Sequence, residues 1–146
     1  MQINGSTLHS ERLLPFSAAA IYAAFSHPAH LARWWGPEGF TNTFSQFEFT
    51  PGGRWVFVMH GPDGTDYDNE CVFRELVPEQ RIVIEHTVVP WFRLTISLTP
   101  QDGGTFLTWD QEFESPEMAE RLKPVCDPAN EQNLTRLTAL LTETGA

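Results

Sequence analysis

Residues 127–143 read DPANEQNLTRLTALLTE, and the fold follows from how this stretch has to be buried. Asp127 suits an N-cap and Pro128 the first helical position. Leu134, Leu137 and Leu141 recur at helical spacing, with Leu140 widening the stripe. Asn130 shares that face, one turn before Leu134. The spacing predicts a C-terminal helix over 127–143 with one apolar face and an amide near its start. Such a face must pack against something. The chain before it supplies alternating, aromatic-rich segments, so the expected arrangement is a curved sheet wrapped around the helix.

Working outward, Ser115-Pro116 opens a short helix carrying Met118 and Leu122, which Pro124 is expected to end. Before it, Thr105–Glu114 alternates as a strand, with Leu107, Trp109, Gln111 and Phe113 on one side. Phe92, Leu94, Ile96 and Leu98 alternate with polar residues as a half-exposed strand. Arg81–Thr87 puts Ile82, Ile84 and His86 on one parity. Asp66–Val77 and Arg54–His60 form strands around the turn Gly61-Pro62-Asp63-Gly64. The second of these is apolar on both sides and reads as a central, well-covered strand. Thr43–Thr50 brings Phe47 and Phe49, and Ser6–Leu14 is the first strand. Between these two lie two short helices. Ser17 caps one with Ala18, Ile21, Tyr22 and Phe25 on a face; the other runs from Pro28 to near Gly36 with Leu31, Trp34 and Trp35. One strand, two short helices, six strands and a long helix describe an α+β chain with an antiparallel sheet of about seven strands. No repeat or linker divides it, and residues 1–146 are read as a single domain.

Composition narrows the function classes. Hydrophobic residues make up 41% and charged residues 19% of 146, as in globular domains. Eleven Phe and five Trp suit either a filled core or the wall of a ligand cavity. A formal net charge of -10 argues against nucleic acid and anionic membrane surfaces as partners. No apolar run is long enough for membrane insertion, and the opening MQINGSTLHSERLL lacks the pattern of a signal peptide, so a cytoplasmic protein is expected. Cys71 and Cys126 have no metal or redox spacing.

Several segments together resemble the START-like, helix-grip (SRPBCC) superfamily. They are PFSAAAIYAAFSHPAHLARWWGP from Pro15, FTPGGRWVFVMHGPDG from Phe49, ELVPEQRIV from Glu75, GTFLTWDQEF from Gly104 and NLTRLTALL from Asn133. More narrowly, they are similar to the branch named after the activator of the ninety-kilodalton heat-shock ATPase. The resemblance implies a seven-stranded antiparallel sheet folded around the terminal helix, with a cavity between sheet, long helix and short helices. It also implies ligands of the lipid, sterol, hormone or polyketide kind, with catalysis of cyclisation or hydration in some members. Relatives tend to carry Gly-Trp at the start of the buried face of the terminal helix. Here the pair is Ala129-Asn130, which should enlarge or polarise one end of a cavity.

The expected cavity wall is Trp34, Trp35, Trp55, Phe57, Met59 and Trp109, with Leu134 and Leu137 from the helix. Gln111, His86 and Asn130 are the expected inward polar groups, a mostly apolar lining with a few directed donors and acceptors. His86 has the right ordinary pKa, ~6.5, for a general base. Its neighbour Glu85 points to the opposite face, however, and no motif places a nucleophile, so no catalytic residue is assigned. Cys126, read as lying beside a helix start, would have its thiol pKa lowered by the helix dipole. His27 and His30 lack a third ligand, and Asp63, Asp66, Asp68 and Glu70 lack the spacing of a calcium loop. No metal and no cofactor is expected. The leading expectation is a binding domain for a small hydrophobic or aromatic molecule. The alternatives are a cyclase- or hydratase-like enzyme, which needs a titratable group facing the cavity, and a co-chaperone-like interaction domain. An edge strand offers a surface for a homodimer.

Overall fold

The computed structural model describes residues 2–145. Its strands are β1 (Gln2–Asn4), β2 (Thr7–Leu14), β3 (Thr41–Phe47), β4 (Arg54–His60), β5 (Asp66–Val77), β6 (Arg81–His86), β7 (Phe92–Gln101) and β8 (Gly104–Phe113). The helices are α1 (Ala18–Ser26), α2 (Pro28–Trp34) and α3 (Pro116–Glu143). All strands join one antiparallel sheet in the order β1-β2-β8-β7-β6-β5-β4-β3. Seven strands match the expected set, and β1 is a three-residue arm added at the edge. The architecture is an α+β helix grip: a curved antiparallel sheet holding a long C-terminal helix, with two short helices after the first long strand. No described helix is long and apolar enough to cross a membrane.

Local chemistry sets the element ends. Ser17 Oγ accepts the Ala20 N–H at 3.1 Å and starts α1. Ser115 Oγ accepts the Met118 N–H at 3.2 Å and starts α3, with Pro116 in the first turn. Two β-bulges interrupt strict alternation. One lies between Phe44 and Gln46, so Phe44 and Phe47, three residues apart, stack on the same face at 5.6 Å. The other lies between Phe73 and Glu75 and lets Phe73 and Leu76 both meet the core.

The sharpest difference from expectation concerns the helix that decides the fold. Asp127 does not cap a helix and Pro124 does not end one, because α3 runs unbroken through Pro124 and Pro128. Each proline removes one N–H from the helical ladder. Both sit on the exposed side, four residues apart, where the freed carbonyls of Glu120 and Pro124 can meet water. A break there would also separate Met118 and Leu122 from the face that continues at Leu134.

A second correction concerns β4. It is the strand next to the edge, and Val56 and Val58 are only half-buried, so its outer face lacks the expected cover. The main core gathers on the inner face. Ile21, Phe25, Leu31 and Trp34 of the short helices pack with Leu134, Leu137, Leu140 and Leu141 of α3 and with Trp55, Phe73, Ile84, Ile96 and Leu107 of the sheet. A smaller cluster of Leu8, Phe113 and Ala119 sits under the first turns of α3. The stretch of α3 between the two clusters is where the site lies.

Candidate functional site

Beneath that stretch lies a chamber of about 480 Å³, within the usual range for small-molecule sites. From α3 it is lined by Val125, Cys126, Ala129, Asn130 and Asn133. The sheet contributes Phe57, Met59, Tyr67, Asn69, Cys71, His86, Phe92, Leu94, Trp109 and Gln111. The loop after α2 contributes Trp35, Gly36, Pro37 and Phe40. Lining residues that are also exposed mark its opening: Tyr67, Asp68, Val89 and Val125.

Of the residues expected to form the wall, Trp35, Phe57, Met59, His86, Trp109, Gln111 and Asn130 line this chamber. Trp34, Trp55, Leu134 and Leu137 lie in the packed core beside it. Trp34 donates its indole N–H to the Ala24 carbonyl at 3.0 Å and meets Phe25 edge-on at 4.9 Å. Trp55 stacks on Phe57 at 4.2 Å and meets Trp35 at 5.0 Å, backing the wall without reaching the space. The indole N–H groups of Trp55 and Trp109 are sealed from solvent without an acceptor among the described residues.

The inward polar groups form two sets. In one, the Asn130 side-chain amide donates to Gln111 Oε1 at 3.0 Å, with both residues buried. Gln111 sits between Leu8 and Leu94 in the middle of the sheet, so this bond ties helix to sheet across the chamber wall. In the other, His86 donates from Nδ1 to the Pro90 carbonyl at 2.7 Å, and its Nε2 lies 2.7 Å from Asn69 Oδ1. The ring stacks on Phe92 at 4.6 Å. Burial pulls the His86 pKa below its ordinary value despite the nearby carbonyls.

The cysteines correct one expectation. Cys126 lies inside α3, away from a helix start, and burial pushes its thiol up to about 11. Burial also pushes the Cys71 thiol up. Both are free thiols on the chamber wall. Among the described residues no group of three His, Cys, Asp or Glu comes together to hold a metal. The acidic hairpin is engaged locally: Asp63 accepts the Thr65 N–H, Asp66 meets His60, and Glu70 pairs with Arg54.

Two residues outside the expected set shape the chamber. Arg136 donates to the carbonyls of Trp35, Gly36 and Pro37 through Nη1, at 3.3, 2.8 and 2.7 Å. Through Nη2 it reaches Arg33 and Phe40, at 2.8 and 2.9 Å. Asn133 Oδ1 accepts the Gly36 N–H at 2.8 Å. Together they fasten the tryptophan loop to α3. Gly36 has φ +99, a left-handed conformation that glycine adopts without strain, and a Cβ there would lie 2.8 Å from the movable end of Met59. The available signal was spacing: Asn133 and Arg136 follow Asn130 at intervals of three, flanking the leucine stripe.

The model for Activator of Hsp90 ATPase homolog 1-like protein matches residues 15–142. No match is found among curated proteins. A crystal structure from Nitrosomonas europaea is similar at a TM-score of 0.87 and 22% identity, covering 95% of this chain and 96% of that one. A solution structure from Arthrobacter aurescens is similar at 0.87 and 23%, covering 94% and 87%. The AHSA1 protein of Silicibacter pomeroyi is similar at 0.77 and 24%, covering 94% and 99%. At these identities the structural likeness speaks for the fold.

Proposed function

The chain belongs to the family of Activator of Hsp90 ATPase homolog 1-like proteins, and within it we propose a binding protein for a small hydrophobic or aromatic molecule held between sheet and α3. The observation that carries this reading is the chamber itself, which stays hollow beneath α3 while both ends of that helix are packed. Its wall is chiefly aromatic and aliphatic, and burial there contributes about 25 cal/mol per Å² of apolar surface. The Gln111–Asn130 pair orients the polar part of the molecule, beside a His86 ring held by Pro90 and Asn69. Val89 and Val125, both exposed at the opening, offer an apolar entrance. His86 supports positioning over proton transfer, because its Nδ1 is engaged by Pro90 and, among the described residues, no carboxylate bonds it.

The test is titration with N-phenyl-1-naphthylamine, an uncharged fluorescent apolar probe, into the wild-type protein and Asn130→Trp. An indole at Asn130 would fill the space that the amide leaves open. Saturable enhancement in the wild type and its loss in a folded N130W protein is the expected result. Absence of wild-type binding would sink the reading.

A further inference from the structure

Building on that binding reading, we infer that the chamber selects for an uncharged ligand bearing both a hydrogen-bond donor and an acceptor, such as an aromatic amide or lactam, and rejects anions of the same shape. The inference comes from what lines the space. No Arg or Lys is among the lining residues. Arg136, a cation on the neighbouring turn of α3, already donates to five loop carbonyls and stands behind that loop. The one carboxylate on the wall is Asp68, which lies at the opening and would repel an entering anion. A carboxylate, sulfonate or phosphate brought inside would therefore lose its water without meeting a counter-charge.

Of the side-chain amides on the wall, Asn69 and Asn133 are engaged at both ends within the protein, which leaves the neutral, two-sided pair of Asn130 and Gln111. The bond from Asn130 to Gln111 uses one donor of Asn130 and the acceptor of Gln111. No other hydrogen bond from either side chain occurs among the described residues, and neither side chain's polar atoms are sealed off unpartnered. What the pair retains is the N–H donor side of Gln111 and the C=O acceptor side of Asn130. A ligand amide answers both at once. A carboxylate can only accept, so it would set its charge beside the Asn130 carbonyl. A ligand with no polar group would leave the pair unanswered. His86 is held by Pro90 at Nδ1 and by Asn69 at Nε2, so its ring nitrogens are already engaged.

The experiment compares 2-naphthamide with 2-naphthoate, which have the same rings and nearly the same size. Each is titrated against N-phenyl-1-naphthylamine bound to the wild-type protein at neutral pH. The assay is run in low salt and again in 0.5 M sodium chloride, where the general repulsion from the protein's negative charge is screened. The expected result is binding of the amide at least about tenfold tighter than the carboxylate at both salt concentrations, a ratio worth about 1.4 kcal/mol. In Gln111→Leu the ratio should fall, since the amide loses its donor while the apolar wall remains. Equal binding of the two, tighter binding of the carboxylate, or a preference that vanishes in high salt would overturn the inference and leave the hydrophobic site standing. Probe binding that neither naphthalene compound displaces would do the same. If the probe itself does not bind, the site reading fails and this inference fails with it.

Discussion

At the scale of single residues, Arg136 does the most to join loop to helix. Hydrogen bonds from a charged donor contribute more than neutral ones, and here one guanidinium serves five carbonyls across the turn that follows α2. Burial pulls its pKa below the ordinary value, but an arginine keeps its charge at any working pH. Arg136→Met keeps much of the side-chain bulk and removes every one of these bonds. The expected loss is about 2–4 kcal/mol of stability, read from the urea midpoint. Arg136→Lys should recover only part of it, because a point-like ammonium cannot reach both Arg33 and Pro37 in a planar fork. An unchanged midpoint in R136M would show that solvent replaces these bonds without cost. Nothing in the primary sequence distinguishes this arginine from a solvated one on a helix flank. Its role depends on where the Trp34-Trp35-Gly36-Pro37 turn lands, and that is a tertiary fact. Asn130 was easier to find, because an amide in line with leucines stands out at helical spacing.

At the scale of elements, most of the strands could be read from alternation, and their observed limits lie within a few residues of expectation. Alternation fails where a bulge adds a residue, so it does not mark Phe44 as a partner of Phe47. The larger departure from local propensity is Pro124 inside α3. Local propensity argues for a stop at Pro124, but burial of Ala119 and Leu122 on one side and of Leu134 on the other holds the helix straight through it. That continuity determines where the chamber lies, because the turns around Val125, Cys126 and Ala129 form its roof. It also explains why Leu134 and Leu137, expected on the cavity wall, are core residues: the hollow is displaced toward the N-terminal part of the helix. If the two prolines are tolerated in this way, Pro124→Ala and Pro128→Ala should each stabilise the protein. Restoring an N–H to the ladder outweighs the extra freedom that alanine gives the unfolded chain, for a net gain of about 1–2 kcal/mol. Thermal unfolding of each variant checks this, and a lowered midpoint would mean that a proline ring contributes packing of its own.

At the scale of the whole molecule, α3 resembles a beam resting on two supports. The main core grips Leu134 to Leu141 and the smaller cluster grips Ala119, while the span between them borders open space and is held by polar bonds, from Asn130 to Gln111, Glu131 to Arg12, Gln132 to Glu38 and Asn133 to Gly36. A filled interior would gain packing along that span, so the hollow costs stability that a ligand can restore. Local opening should therefore be easiest in residues 125–133 and hardest beyond Leu134. Native-state hydrogen exchange should show lower protection in the first segment than in the second. Saturating N-phenyl-1-naphthylamine should raise protection in the first segment selectively. The global gain follows from mass action: about 2.7 kcal/mol at a ligand concentration one hundred times Kd. In Asn130→Trp the indole occupies the same space permanently, so the probe should add nothing to its stability or protection. A wild-type protein whose exchange along α3 is uniform, and does not respond to the probe, would mean that the span is supported by something other than the packing at its two ends.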